Sequence, residues 1–176
     1  MLANLFEPTT VAALALVVGV PLLTLVHELG HGIVAALLVG GRVTVVQGSA
    51  PFRVSFSFWR FDVRLRGPVA PHHGMVGWAL WGSHPSQHRQ ALATMAGPVT
   101  SLAATLACVG GAAETAAAPR FFFIYLSIAS TLQTFSSGLP VRYGSWFGQF
   151  SGEASDGLRV RQLLQGRAEP PPTIIS

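Results

Sequence analysis

The longest apolar stretch of the chain, residues 11–39, most constrains how this sequence can fold. It contains only three ionisable residues: His27, Glu28 and His31. As a helix rising ~1.5 Å per residue it would reach roughly 40 Å, whereas the hydrocarbon core of a bilayer is ~30 Å thick. We therefore expect a membrane-spanning helix that tilts, kinks or protrudes, with Pro21 as the expected kink. A cleaved signal peptide is disfavoured, because residues 1–10 carry no Lys or Arg and no small-residue cleavage site precedes His27.

Residues 27–31 are His-Glu-Leu-Gly-His, the HExxH pattern of zinc proteases. Side chains four positions apart on a helix lie one above the other, so His27 and His31 can reach one metal ion. Glu28 projects near the same face, where it can take a proton from water at the metal. The alternative is a buried helix that carries these residues by coincidence. That alternative is disfavoured, because three ionisable groups at membrane depth are costly without a function.

Composition and two further apolar segments favour a membrane fold. The chain is 50% hydrophobic and 10% charged, with a mean hydropathy of +0.48, which is high for a soluble domain. Residues 91–113 and 121–139 are uncharged, and the first of these is rich in small residues that allow close helix packing in lipid. We expect an all-α membrane protein forming one membrane-embedded domain over residues 1–176. Its expected parts are about three transmembrane helices at 11–39, 91–113 and 121–139, a small β-hairpin insertion within 42–66, and a C-terminal amphipathic helix at 155–166.

The distribution of charge predicts the orientation of the chain in the membrane. The 11 basic residues are all Arg, and most lie either between residues 42 and 89 or in the C-terminal tail. The positive-inside rule places both segments in the cytoplasm and the N-terminus outside, so the site would open towards the cytoplasm. The Arg residues flank apolar spans and form no basic stripe, which disfavours a nucleic-acid partner. Use of Arg alone, with abundant Ala and Gly, is typical of a GC-rich bacterial genome and therefore favours a bacterial cell membrane.

A catalytic zinc ion usually has three protein ligands, so a third ligand is expected beside the two His residues. Glu7 and Glu114 fall on the wrong side of the membrane under this topology. The other acidic residues outside the motif are Asp62 in a strand-like segment, Glu169 in a Pro-rich tail, and Glu153 and Asp156 after the third span. The last two remain as candidates. For Asp156 a second interpretation is equally open, in which Ser155 or Asp156 only caps the following helix.

Residues 42–66 alternate polar and apolar side chains, which predicts two or three strands with a hairpin turn at residues 48–51. Such strands can rest on the lipid surface with Trp59 facing down, or offer an edge that holds an extended substrate. Residues 75–81 are apolar but too short to span, so we expect an interfacial or re-entrant segment. The remaining histidines are expected to be solvated or interfacial loop residues: His72, His73, His84 and His88.

Three segments of the chain, in this order, resemble the site-2 protease family of intramembrane zinc metalloproteases. They are HELGHGIVAALLVGGRV at 27–43, MAGPVTSLAATLA at 95–107, and LP at 139–140 followed by SDG at 155–157. The resemblance implies one zinc ion bound by His27, His31 and Asp156, with Glu28 activating the water. The implied substrate is a transmembrane or juxtamembrane segment of another protein. The sequence does not predict the oligomeric state.

The chain departs from the family pattern at two polar positions. Ser101 and Ser137 stand where the family usually has Asn, a residue that can help to hold the substrate backbone. These changes favour the main alternative, a non-proteolytic metal-binding scaffold or chaperone of the same fold. A third class is a membrane-anchored zinc protease with a soluble catalytic domain. The apolar surroundings of the HExxH motif argue against that class, and Glu153 as the third ligand would be its simplest sign.

Overall fold

A computed structural model describes residues 7–48, 53–66, 77–82 and 86–167. The described elements follow one another along the chain as α1 (Pro8–Leu14), a π-helical turn (Ala15–Gly19), α2 (Val20–Leu38), β1 (Val43–Gln47), β2 (Arg53–Phe58), β3 (Phe61–Arg66), β4 (Gly77–Leu80), α3 (Gln87–Glu114), α4 (Ala117–Gly138), a 3₁₀ turn (Ser145–Phe150) and α5 (Asp156–Leu164). The fold is therefore helical with one small sheet inserted between α2 and α3.

Helix α1, the π-helical turn and α2 form one continuous helix over Pro8–Leu38. Pro21 lacks the N–H that a regular helix would direct at the carbonyl of residue 17, and the wider turn at Ala15–Gly19 lies where that hydrogen bond is missing. The expected irregularity at Pro21 is thus present as a π-helical turn. The carbonyl of Pro21 itself accepts a hydrogen bond from the Gln47 side chain.

Among the described residues, two helices are long and apolar enough to cross a membrane, Pro8–Leu38 and Gln87–Glu114. Both carry large apolar side chains on their outer surfaces, including Leu37 and Leu106, which are each about two-thirds exposed. The third expected span coincides with α4, but α4 is not one of the helices that are long and apolar enough to cross a membrane. Its second half is rich in Ser and Thr hydroxyls and contains Gln133.

The helices α2, α3 and α4 pack together because small residues let their backbones approach. At Gly30 of α2, a Cβ atom would lie 2.8 Å from Cβ of Thr100 and 3.0 Å from the Ala96 carbonyl oxygen of α3. Only glycine fits this distance without displacing α3. Below this crossing, towards the N-terminus of α2, a second apolar cluster joins the π-helical turn and α2 to α3 and α4: Ala15, Leu23, Cys108 and Leu126.

The inserted sheet has the strand order β2-β3-β1-β4. β2 and β3 form an antiparallel hairpin that turns at Trp59 and Arg60, whereas β1 pairs parallel with β3 and antiparallel with β4. The expected hairpin turning at 48–51 is therefore wrong, since β1 and β2 are not neighbours, and residues 49–52 lie outside the described residues. Of the segment 75–81, expected to be interfacial or re-entrant, Gly77–Leu80 form strand β4, and residues 75–76 lie outside the described residues.

One face of the sheet packs against the C-terminal half of α2. Gly32 creates the space, because a Cβ atom there would lie 3.0 Å from Phe61 and 3.2 Å from Val45. Val43, Val45 and Phe61 are almost completely buried in this interface. The alternation of polar and apolar residues correctly predicted strands in this segment. It does not specify the strand order, because the parallel pairing of β1 with β3 depends on the burial of both strands against α2.

Two Arg side chains hold the C-terminal end of α2. Arg60 Nη1 donates to the Ala36 carbonyl over 2.8 Å, and Arg89 Nη1 donates to the Leu38 carbonyl over 3.3 Å. The last carbonyls of a helix have no partner within the helix, and cations interact favourably with them. The hairpin turn and the start of α3 are thereby attached to the same end of α2.

Helix α5 packs against the end of α4 after a loop whose two ends pair with each other. Arg142 and Ala154 form an antiparallel bridge, and Ser155 caps α5 by accepting a hydrogen bond from the Leu158 N–H over 3.2 Å. Gly157, in the first turn of α5, lies directly against the backbone at the end of α4. A Cβ atom at Gly157 would overlap the Gly138 carbonyl. The helix expected at 155–166 is therefore present and packs closely against α4.

Candidate metal centre

His27 and His31 lie one turn apart on α2, and their imidazoles meet in the interior of the protein. Both side chains are about 5% exposed, and the two Nε2 atoms are 3.2 Å apart. The ring planes are nearly perpendicular, at 85°. The HExxH spacing therefore brings the two nitrogens together as the sequence predicts.

Asp156 completes the cluster from the first turn of α5. Its Oδ2 atom is 3.3 Å from Nε2 of His27 and 3.3 Å from Nε2 of His31. Burial opposes ionisation of this carboxyl, but the neighbouring His31 charge and hydrogen bonds from both imidazoles outweigh it and hold the pKa of Asp156 well below its usual range. Asp156 is therefore a carboxylate, the form in which it can bind a cation.

The other nitrogen of each imidazole is held by α3. Nδ1 of His31 lies 3.0 Å from the Ala93 carbonyl oxygen and 3.3 Å from the Gly97 backbone nitrogen, and Nδ1 of His27 lies 2.8 Å from the Ser101 hydroxyl. The Ser101 carbonyl in turn accepts a hydrogen bond from the Ser130 hydroxyl of α4 over 2.8 Å. Such partners fix the tautomer of a metal-binding histidine and leave Nε2 free as the ligand atom.

Gly97 and Pro98 of α3 make room for this arrangement. A Cβ atom at Gly97 would lie 2.7 Å from Cδ2 of His31, inside the space that the imidazole needs. Pro98 has no N–H to donate to the Thr94 carbonyl one turn earlier, and prolines inside helices loosen the carbonyls there. The Ala93 carbonyl next to it lies 3.0 Å from Nδ1 of His31.

The three converging atoms fit a metal ion. A metal ion that displaces the imidazole protons would meet three ligand atoms, the two Nε2 atoms and Oδ2 of Asp156, which lie 3.2–3.3 Å apart. In a tetrahedral site with bonds of ~2.0–2.1 Å, ligand atoms are about 3.3 Å apart, which is the spacing found here. His27, His31 and Asp156 could therefore hold a metal ion.

Glu28 lies beside this cluster and under strand β4. The Glu28 side chain is buried, and a Cβ atom at Gly77 would lie 2.9 Å from Glu28 Oε1. The backbone N–H of Ala79 donates a hydrogen bond to the Glu28 carboxylate. β4 is the last strand of the described sheet on this side, and Glu28 occupies the Ala79 N–H of that strand.

The remaining candidate ligands lie elsewhere. Glu153 is 41% exposed and forms an ion pair with Arg159 at 2.9 Å, so the structure brings Asp156 and not Glu153 to the His pair. Asp62 is 3.8 Å from Arg42 in the sheet. His88 is exposed on the first turn of α3. His72, His73 and His84 lie outside the described residues.

The loop between α4 and α5 adds an aromatic cluster that the sequence did not indicate. Tyr143 contacts Phe147 and Phe150, with ring centroids 4.5 Å and 6.0 Å apart. Phe150 also contacts Trp78 of β4 at 5.3 Å. The loop therefore covers the face of β4 that points away from α2. A short loop segment rich in aromatic residues carries no periodic signal, so only the folded chain shows this contact.

Comparison of the chain with protein-family models, with curated proteins and with solved structures gave no match. The class defined by fold and site is accordingly a helical protein with two potential membrane-spanning helices and a buried His-His-Asp cluster that could hold a metal ion.

Proposed function

We propose that the protein is an intramembrane zinc metalloendopeptidase that cleaves peptide bonds in or near transmembrane segments of other proteins. One observation carries the proposal. His27, His31 and Asp156 converge at the spacing of a tetrahedral site, and the buried side chain of Glu28 lies on α2 between the two histidines. Two imidazoles and one carboxylate are the ligands of a catalytic zinc site that keeps a position open. This donor set also favours zinc or iron over Mg²⁺ or Ca²⁺.

Placement in a bilayer is supported by the helix that carries the motif. Pro8–Leu38 is long and apolar enough to cross a membrane, and its outer face exposes large apolar side chains. The Arg-rich sheet, the start of α3, the end of α4 and α5 all meet the end of the bundle that holds the metal centre. By the positive-inside rule this end faces the cytoplasm of a bacterial cell, with the N-terminus outside and α4 as a third span.

In the proposed reaction Glu28 is the general base and then the general acid. Its carboxylate takes a proton from the attacking water and passes that proton to the amide nitrogen of the departing peptide. Bound Zn²⁺ would supply Lewis acidity that lowers the pKa of water and polarises the scissile carbonyl. Ser101 and Ala93 keep the two imidazoles oriented through their Nδ1 atoms, and the surrounding helices exclude bulk water.

The outer edge of β4 in the described sheet, beside the Ala79 N–H that Glu28 engages, is the proposed substrate-binding element. An extended peptide can pair with an exposed strand edge through main-chain hydrogen bonds. Gly77 and Ala79 border Glu28 on this strand, so a paired peptide would run past the general base. A transmembrane helix must unwind before its peptide bonds can react, since its backbone is already hydrogen-bonded internally. Pairing with β4 offers replacement hydrogen bonds for the unwound segment.

A non-proteolytic scaffold or chaperone of the same fold is the second candidate. This candidate is favoured by the surroundings of Ser101 and Ser137, the two residues that stand where site-2 proteases usually have Asn. The Ser101 hydroxyl is engaged by His27 at 2.8 Å, and the Ser137 hydroxyl donates to the Gln133 carbonyl of its own helix over 2.8 Å. Ser101 is 1% exposed and Ser137 is 5% exposed, so both hydroxyls are enclosed within the protein and neither is presented to a substrate.

The deciding experiment measures zinc content and cleavage of a model transmembrane substrate in detergent. Wild type is compared with Glu28→Gln, with Asp156→Ala and with Glu153→Ala as the matched control for the third ligand. We expect zinc in wild type, Glu28→Gln and Glu153→Ala, reduced zinc in Asp156→Ala, and cleavage only by wild type and Glu153→Ala.

Three other outcomes would contradict all or part of this proposal. Zinc binding without cleavage of several substrates would favour the scaffold. Zinc lost in Glu153→Ala and kept in Asp156→Ala would refute the ligand assignment. Absence of bound metal after reconstitution with zinc would contradict both metal-dependent functions.

A further inference from the structure

The apolar face of the inserted sheet extends beyond the helix on which it packs. Phe56 of β2 lies opposite Val63 of β3, and Phe58, two positions further along β2, points to the same side of the sheet. Val63 is buried against α2, whereas Phe56 is 49% and Phe58 52% exposed. Strand β2 therefore overhangs α2, and its apolar face has no cover among the described residues.

The side of α2 next to this overhang is also apolar and exposed. Glu28 faces β4, and Gly32, turned roughly 40° further round the helix at roughly 100° per residue, faces β1 and β3. A further turn of roughly 80–140° in the same direction reaches the side of α2 next to β2, the strand that follows β3 in the sheet. Four apolar residues on this side are 39–66% exposed: Leu22, Val26, Ile33 and Leu37. β2 and these four residues form the two walls of an open apolar groove, the β2–α2 corner.

The hairpin turn of Trp59 and Arg60 forms the rim of this corner at the C-terminal end of α2. Trp59 is 64% exposed, and its ring centroid lies 6.0 Å from that of Phe61 on the α2 face of the sheet. The guanidinium carbon of Arg60 lies 5.4 Å from the centroid of the Trp59 ring. Arg60 donates to the Ala36 carbonyl through Nη1, and no carboxylate of the described residues forms an ion pair with it. An aromatic ring and a cation without a counter-charge therefore stand where the apolar walls end.

We propose that the β2–α2 corner binds an anionic phospholipid, with an acyl chain along the apolar walls and the headgroup phosphate at Arg60. This inference rests on the membrane placement proposed above and not on the peptidase function. Val26 and Leu37 lie ~17 Å apart along the helix axis at ~1.5 Å per residue, which is close to half of a ~30 Å hydrocarbon core. The apolar wall is therefore about as long as the acyl chains of one leaflet.

The residues at the rim favour an anionic lipid over other apolar occupants. Tryptophan is enriched at membrane interfaces, and arginine near the cytoplasmic surface attracts anionic headgroups. A guanidinium has several N–H donors, so Arg60 can hold the Ala36 carbonyl with Nη1 and a phosphate with the others. A neutral lipid or an apolar helix of another protein would fill the corner but leave this cation without a counter-charge.

The test is quenching of Trp59 fluorescence by lipids with brominated acyl chains. The protein is reconstituted into bilayers of phosphatidylglycerol and phosphatidylcholine in which only one of the two lipids carries bromine. Trp59→Phe gives the signal of the other tryptophans, which is subtracted. We expect phosphatidylglycerol to be preferred about fivefold at Trp59, because one Arg near an anionic surface contributes an attraction of that size.

Arg60→Gln and Arg64→Gln separate the proposed site from the general charge of the sheet. Glutamine at position 60 can still donate to the Ala36 carbonyl, and Arg60→Gln should remove the preference for phosphatidylglycerol. Arg64 is exposed and follows the buried Val63 along β3, so it belongs to the face of the sheet that points away from α2. Arg64→Gln should therefore keep the preference. High salt should weaken it in wild type without any substitution, because ions screen exposed charges.

Equal quenching by the two lipids in wild type would overturn the anionic site, and so would a preference that Arg64→Gln lowers as much as Arg60→Gln. Quenching of the other tryptophans without quenching of Trp59 would place another protein or water at this face, and would also overturn the inference. A chain that does not enter the bilayers refutes the membrane placement and the inference with it. Zinc content and cleavage are measured separately and decide the peptidase function whatever the lipid result.

Discussion

The hydrogen bond between Ser101 and His27 makes a quantitative prediction about metal affinity. The Ser101 side chain is 1% exposed, and its hydroxyl lies 2.8 Å from Nδ1 of His27. In Ser101→Ala the Nδ1–H would be buried without an acceptor, and such an unsatisfied group costs ~1–3 kcal/mol. Each ~1.4 kcal/mol corresponds to a tenfold change in an equilibrium constant. We therefore expect Ser101→Ala to weaken zinc binding about 10- to 100-fold, in line with known effects of such outer partners.

Ser137→Ala is the matched control for this experiment. Ser137 is also almost fully buried, at 5% exposure, but its hydroxyl donates to the Gln133 carbonyl within α4. That carbonyl remains part of the helix when the hydroxyl is removed, so zinc affinity should stay within about twofold of wild type.

The assay is competition for zinc with a chromophoric chelator of known affinity, in detergent at fixed pH. Thermal unfolding of each metal-free variant shows whether the fold is retained. Equal zinc affinity in Ser101→Ala and wild type would refute the argument that Ser101 orients His27. An equal loss in Ser137→Ala would show that any buried hydroxyl matters, and would refute the specific hydrogen bond as the cause.

Three further predictions follow from close approaches and from charge. Gly97→Ala should abolish metal binding because its Cβ would overlap an imidazole, while Gly110→Ala on the same helix has nothing within 4 Å and should bind zinc normally. If the proposed peptidase function holds, Gly77→Ala should reduce cleavage with zinc retained, because the new methyl group displaces Glu28, and Gly82→Ala is its control. Topology reporters should place the N-terminus outside and the C-terminus in the cytoplasm, and the reverse result would contradict the positive-inside argument.

The features predicted correctly from the sequence depend on local spacing. The convergence of His27 and His31 follows from four-residue spacing on a helix, which needs no knowledge of the rest of the fold. The strands within 42–66 follow from alternation of polar and apolar residues. The position of Asp156 after the third apolar segment narrowed the third ligand to two candidates, and the structure brings Asp156 to the pair. The resemblance to site-2 proteases pointed to the same residue.

The features that the sequence did not predict depend on contacts between distant segments. The parallel pairing of β1 with β3 arises because both strands bury their apolar residues against α2, and no local pattern specifies that order. Strand β4 has only four residues and was therefore indistinguishable from an interfacial segment. The role of Ser101 depends on a contact across 74 positions of the chain, between two helices whose relative rotation is set by packing. The contact of the α4–α5 loop with β4, through Phe150 and Trp78, belongs to a loop that has no periodicity.

The two arginine contacts at the end of α2 also have a mechanical consequence. Arg60 and Arg89 tie the hairpin and α3 to the last turn of the helix that carries the HExxH motif. Rotation or sliding of α2 would break hydrogen bonds from charged donors, each worth ~1.5–3 kcal/mol when well formed. Any movement of α2 would therefore carry the β2–β3 hairpin and the start of α3 with it, so the HExxH motif keeps its position relative to both.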